Sequence, residues 1–139
     1  MNAGPPPKPL PAPVGLNAEL YEQWFAGRLV FQRCRSCGCW RHPPRYRCGR
    51  CGSPEWEWAP SSGRGELYTW TVVHQAMDPA FAADVPYAVV VVEMDEGVRM
   101  VAGVVDVGLD ELALGLPLEV QFVPRGGEVV MPSFRHRTT

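Results

Sequence analysis

The sequence predicts a mainly β chain in three connected parts: a short N-terminal helix, a metal-held ribbon and a small closed barrel. Three observations carry that expectation. Two Cys-x-x-Cys pairs, Cys34/Cys37 and Cys48/Cys51, are each followed by glycine and stand ten residues apart. Five short β-branched or apolar runs follow, with one candidate helical turn among them, which is the pattern of a five-stranded OB-fold. Ahead of the cysteines, Leu20/Trp24 and Tyr21/Phe25 pair four residues apart on what reads as one amphipathic helix. At 139 residues the chain is about one ordinary domain long, enough to bury a core of its own.

Residues 1–16 hold Pro5-Pro6-Pro7, Pro9, Pro11 and Pro13, a composition that favours an extended segment without internal hydrogen bonds. The expectation is a disordered arm, with docking on a partner as the alternative. Residues 17–28 form the helix. Asn17 is the expected N-cap, Glu19 and Glu22 sit near the positive end of the dipole, and Gly27 suits the position just past the end. So short a helix with so much aromatic surface must pack on its own domain or on another subunit, making Leu20, Trp24 and Phe25 candidate interface residues. Residues 29–62 make the ribbon and residues 63–139 the barrel. Its strands are expected over 67–74, 87–94, 98–107, 118–122 and 128–134, with a helical turn over 109–115. The longest connection, 75–86, carries Phe81 and leads into Tyr87; both are candidate partner contacts. The 87–94 run is apolar on both faces as far as Val92, so something is expected to cover its outer face.

In each cysteine pair the two-residue spacer lets the chain fold back so that both sulfurs face one ion. Two such knuckles give four thiolates, a closed tetrahedral set with no open position for a substrate. Zinc is the expected structural cofactor on Cys34, Cys37, Cys48 and Cys51. Iron is the rival, but the compact spacing suits a zinc ribbon and no second redox centre is evident. Cys39, two residues from Cys37, reads as a bystander.

No apolar run approaches the ~18 residues a membrane-spanning helix needs. The N-terminus lacks the pattern of a signal peptide, and paired cysteines then read as metal ligands in a reducing, cytoplasmic setting. Charge is uneven. Between Arg28 and Arg64, eight arginines face two glutamates, a net +6; between Gly65 and Val123, ten carboxylates face Arg99 alone, a net −9. A barrel so acidic would repel phosphates, which argues against a nucleic-acid binder despite Tyr68 and Trp70. No nucleophile elbow, P-loop or dinucleotide fingerprint is present, and His42, His74 and His136 are scattered. Asp95 and Glu96 read as a solvated turn. The expectation is a chain with no catalytic residue of its own.

Several runs carry a family resemblance. They are Phe31-Gln32-Arg33-Cys34-Arg35-Ser36-Cys37-Gly38, Pro43-Pro44-Arg45, Cys48-Gly49-Arg50-Cys51-Gly52, the stretch from Gly63 to His74, and Pro86 to Glu93 followed by Glu96-Gly97. With Gly115-Leu116-Pro117-Leu118, they resemble the acyl-CoA-associated zinc-ribbon/OB-fold family, long called domain of unknown function 35. The resemblance covers nearly everything after the arm, and the helix fits that family's N-terminal helix. It implies a rubredoxin-like ribbon and partnership more than catalysis. Members accompany thiolase-fold proteins or hydratases acting on coenzyme A thioesters. Several belong to actinobacterial steroid side-chain degradation, where the thiolase-like partner is a retro-aldolase; archaeal relatives bridge a thiolase and a synthase. On that basis Arg41, Arg45 and Arg47, between the knuckles, become candidate contacts for coenzyme A phosphates at a junction with the partner. Cys39 and the long proline arm depart from the family pattern.

Overall fold

In the computed structural model of the protein, which describes residues 6–138, helix α1 spans Leu16–Phe25. Its N-cap lies two residues earlier than the sequence suggests. Gly15 stands at the N-cap with no side-chain cap, so Asn17 lies inside the first turn and does not cap it. The C-terminal end follows the expectation: Gly27 donates to the Trp24 carbonyl at 2.8 Å and Arg28 to the Gln23 carbonyl at 2.9 Å, the paired bonds of a glycine-terminated helix. Leu16, Leu20 and Trp24 face inward, and α1 packs chiefly against the last strand of the barrel.

The ribbon is a three-stranded antiparallel sheet of β1 (Val30–Cys34), β2 (Trp40–Arg41) and β3 (Trp56–Pro60), with β1 central. The barrel is built from β4 (Arg64–Val73), β5 (Tyr87–Met94), β6 (Arg99–Val104), β7 (Pro117–Gly126) and β8 (Val129–His136), closed in the order β4-β5-β6-β8-β7. A 3₁₀ turn at Leu109–Glu111 sits where a helical turn is expected, and a second, Pro79–Phe81, lies in the long β4–β5 connection. Ten-residue β4 is shared, pairing with β5 along most of its length and with β7 over Arg64–Glu66. The last seam is short: β6 and β8 meet only at Gly103↔Ser133 and Val104↔Phe134. Pro132, the next residue of β8, has no N–H to extend it.

Ribbon, helix and barrel share one core. Leu20, Trp24, Leu29, Val30 and Phe31 join Leu67, Val90, Val92, Met100, Leu118 and Phe134 in a continuous buried cluster. On β5 the alternation is cleaner than the sequence implies. Ala88, Val90, Val92 and Met94 are buried, while Tyr87, Val89 and Val91 are half-buried on the outer face and Val101, opposite Val91, is 66% exposed.

The Asp95–Glu96 turn is not merely solvated. Glu96 accepts from the Ser61 hydroxyl at 2.6 Å and from the Ser62 amide at 2.9 Å, and Asp95 accepts from the Ser62 hydroxyl at 3.2 Å. The β5–β6 hairpin thereby grips two of the three residues joining ribbon to barrel. Glu96→Ala is expected to cost about 1.5–3 kcal/mol, the range for hydrogen bonds to a charged group. Urea denaturation of the variant checks this; an unchanged midpoint would mean the grip is idle.

Candidate metal centre and its supporting loop

The two knuckles are built alike. Gly38 donates to the Cys34 carbonyl at 2.9 Å and Gly52 to the Cys48 carbonyl at 2.8 Å, closing each turn. Both glycines have positive φ, 74° and 77°, which a residue with a Cβ adopts only under strain. The next residues lock the other side: Cys34 donates to Cys39 and Cys48 to Ser53. A 2.8 Å hydrogen bond between the Ser36 and Ser53 hydroxyls ties one knuckle to the other.

These turns bring Cys34, Cys37, Cys48 and Cys51 together, with every sulfur within 4.8 Å of the rest. The Cys34–Cys51 and Cys37–Cys48 separations are each 3.6 Å. A tetrahedral zinc site with Zn–S bonds of about 2.3 Å needs sulfur–sulfur edges of about 3.8 Å, so the donor set fits the ion in type, number and spacing. Cys39 is outside it, its thiol directed at the Trp40 carbonyl. The fold is thus a zinc ribbon whose structural ion takes all four sulfurs.

Backbone amides prepare the quartet for charge. The Cys51 and Arg50 amides hold the Cys48 thiol down to about 6, and the Cys37 amide, with that of Ser36, lowers Cys34. Cys37 is pushed up to about 12: the Cys39 amide opposes this, but burial and the neighbouring sulfurs of Cys48 and Cys34 prevail. In Cys51 the Ser53 amide is likewise outweighed, by Cys34 and by burial, and the shift is upward. In each knuckle the amides thus favour charge on one sulfur while crowding by its neighbours opposes it on the other, and a bound cation offsets that crowding.

The loop between the knuckles is organised by a residue the sequence reading passed over. Gln32 on β1 is fully buried. Its oxygen accepts from Arg41 Nε at 2.8 Å and from the Arg45 amide at 2.7 Å, and its nitrogen donates to the Arg45 carbonyl at 3.0 Å. The available signal was alternation: Gln32 shares a strand face with Cys34, so it had to point inward. The three candidate arginines consequently differ. Arg41 also donates to the Arg45 carbonyl at 2.8 Å, and Arg47 donates to the Gly52 carbonyl at 3.0 Å; both brace the loop. Arg45 alone of the three presents a side chain without a hydrogen bond or ion pair among the described residues.

The candidate interface residues also separate. Leu20 and Trp24 are 3% and 6% exposed, turned into the chain's own core, whereas Phe25 is 53% exposed. Phe81 and Tyr87 lie with ring centres 6.5 Å apart, both half-buried on the barrel.

His42 packs edge-on against Phe31, ring centres 5.3 Å apart, and burial pushes its pKa down to about 4 from 6.5. The fold accepts only the neutral ring. As pH falls below 6.5 the unfolded chain binds a proton that the folded chain refuses, so this contribution to stability is lost on the way down to about 4. Between pH 7.5 and 5.5 the loss is expected to be about 1.4 kcal/mol. Urea midpoints for wild type and His42→Gln at both pH values test it, because zinc effects are common to both chains. Equal pH slopes would refute the assignment.

Comparison with known proteins agrees with this geometry. Residues 26–57 match the family described as "ChsH2, rubredoxin-like zinc ribbon domain", and residues 58–123 match "ChsH2, C-terminal OB-fold domain". A "DUF35 domain-containing scaffold protein" of Methanocaldococcus jannaschii is 34% identical over 95 residues, which cover 67% of its length. The chain belongs to the DUF35 family. Among solved structures, this DUF35 chain matches one described as "Ltp2-ChsH2(DUF35) aldolase" with a TM-score of 0.80 and 37% identity, covering 86% of this chain and 93% of that one. A "Probable enoyl-CoA hydratase alpha subunit" of Thermomonospora curvata is 37% identical over 128 residues, 92% of this chain but only 40% of that protein. The chain thus spans well under half the length of that relative. Among the described residues, no helix is long and apolar enough to cross a membrane.

Proposed function

We propose that this DUF35 chain is a non-catalytic accessory subunit that binds and stabilises a thiolase-fold acyl-CoA enzyme. The partner is a carbon–carbon lyase of the retro-aldolase type, acting in steroid side-chain degradation. The observation that carries this reading is the likeness to 93% of a chain in the structure described as "Ltp2-ChsH2(DUF35) aldolase". The chemistry of the site supports it: four sulfurs saturate the ion, leaving no coordination position at which a thioester could be activated. The free guanidinium of Arg45, held on a metal-braced loop, is suited to a phosphate of the acyl-CoA at the junction. Exposed Phe25 and the Phe81/Tyr87 pair are the apolar contacts proposed for the partner.

Co-expression with a thiolase-fold protein of the same organism should give a complex of fixed stoichiometry, with lyase activity requiring both chains. A partner that is soluble and fully active alone would remove the proposal. A second reading, service to an enoyl-CoA hydratase, is favoured by the Thermomonospora curvata relative. The same co-expression with a hydratase chain decides between the two.

A further inference from the structure

The described part of the proline-rich arm lies against its own barrel at Lys8 and Leu10. Lys8 Nζ makes a 2.9 Å ion pair with Asp84 and sits 5.5 Å from the centre of the Phe81 ring. Leu10 reaches across to Gly126, close enough that a Cβ there would stand 3.4 Å from Leu10 Cδ1. Between these points Lys8-Pro9-Leu10-Pro11 borders a groove of about 590 Å³. The other walls are Phe81 and Asp84 of the β4–β5 connection, Tyr87 and Val89 of β5, Val104 of β6 and Met131 of β8, with Arg125 at the rim.

Two independent features mark this groove as a recognition site. It lies on the second and third barrel strands between the first-to-second and fourth-to-fifth strand loops, the face on which OB barrels take extended ligands. It also has the furniture of a polyproline reader: two aromatic rings, Phe81 and Tyr87, with a carboxylate, Asp84, placed for a flanking base. The segment that walls one side of it, held at Asp84 and Gly126, is of the matching kind. It alternates proline with other residues after a lysine, and it makes no backbone hydrogen bond among the described residues.

We propose that this groove is a binding site for an extended, lysine-flanked, proline-rich peptide, and that Lys8–Pro11 is its resident, displaceable ligand. Displaceability follows from what holds the arm. The Lys8–Asp84 pair is about two-fifths exposed on each side, Leu10 is 47% exposed, and no ladder of backbone bonds secures the segment. What keeps it seated is the tether, which sets an effective concentration on the order of millimolar. A free peptide of the same chemistry must out-compete that local supply.

The test uses the full chain and a synthetic peptide with the sequence of residues 6–13, and needs no partner enzyme. Amide spectra are recorded for wild type and for Lys8→Ser/Leu10→Asp, which releases the arm at two exposed positions without leaving it a charge to pair with residue 84. Substitution should itself shift the Tyr87, Val89 and Val104 amides, and added peptide should move them back toward their wild-type positions. Wild type should need at least tenfold more peptide for the same response. Adding Asp84→Lys to the released chain should abolish the response, and a peptide with glutamate in place of the lysine should restore it. Such a charge swap has no counterpart in a merely structural effect. No shift in the released chain at millimolar peptide overturns the proposal, as does an equal response to a peptide with every proline replaced by serine.

Discussion

Cys48→Ser is expected to cost the protein its zinc and the ribbon its fold. Four thiolates on one zinc contribute an apparent ~10–16 kcal/mol to a small module of this kind, as much as or more than the ~5–15 kcal/mol net stability of a whole domain. The ribbon has little else. β2 is two residues long, and one face of the sheet carries exposed Arg33 and Glu57. Metal analysis should fall from one zinc per chain to nearly none, and amide exchange should lose protection across Val30–Cys34 and Trp56–Pro60. The damage should also spread, because Val30 and Phe31 of β1 belong to the core that Val90, Leu118 and Phe134 complete. Cys39→Ser is the control and should retain its zinc, since the Cys39 thiol lies outside the quartet. A folded, protected β1 in a metal-free Cys48→Ser chain would show that the clamp is dispensable.

What could be read ahead of the structure follows from how local each signal is. The knuckles were legible because a Cys-x-x-Cys-Gly run fixes sulfur direction within five residues. Only the meeting of the two pairs had to be supplied, and the ion supplies that. The barrel strands were legible from β-branched runs, and 87–94 was placed to the residue. Non-local facts escaped. Gln32 looks like any polar strand residue until Arg41 and the Arg45 backbone, 9 and 13 residues on, converge on it. Asp95 and Glu96 have the composition of a solvated turn, and only the fold brings Ser61 and Ser62 within reach. The arm's composition specified an extended segment but not the Asp84 and Phe81 it lies beside. Asn17 failed as a cap for a local reason: Gly15, with φ of 61°, turns the chain into the helix two residues sooner.

Helix α1 offers the sharpest separation of folding from assembly, because neighbouring aromatics point opposite ways. Trp24 is buried against the barrel core beside Tyr21, ring centres 4.7 Å apart. Trp24→Ala should therefore destabilise the chain by about 3–5 kcal/mol, the cost of emptying a large aromatic site that cannot collapse fully. Phe25, one residue along, is half exposed and lies outside the buried core cluster, so Phe25→Ala should shift stability by no more than about 0.5 kcal/mol. Its effect belongs to the complex. If the proposed partner covers this ring, the variant should fold normally yet bind at least tenfold more weakly, about 1.4 kcal/mol. Paired urea titrations and partner titrations of the two variants read both quantities. Trp24→Ala with wild-type stability would mean that the helix does not dock as described. Phe25→Ala with wild-type partner affinity would move the interface off the helix, to the Phe81/Tyr87 face of the barrel or to the arginine-bearing loop of the ribbon.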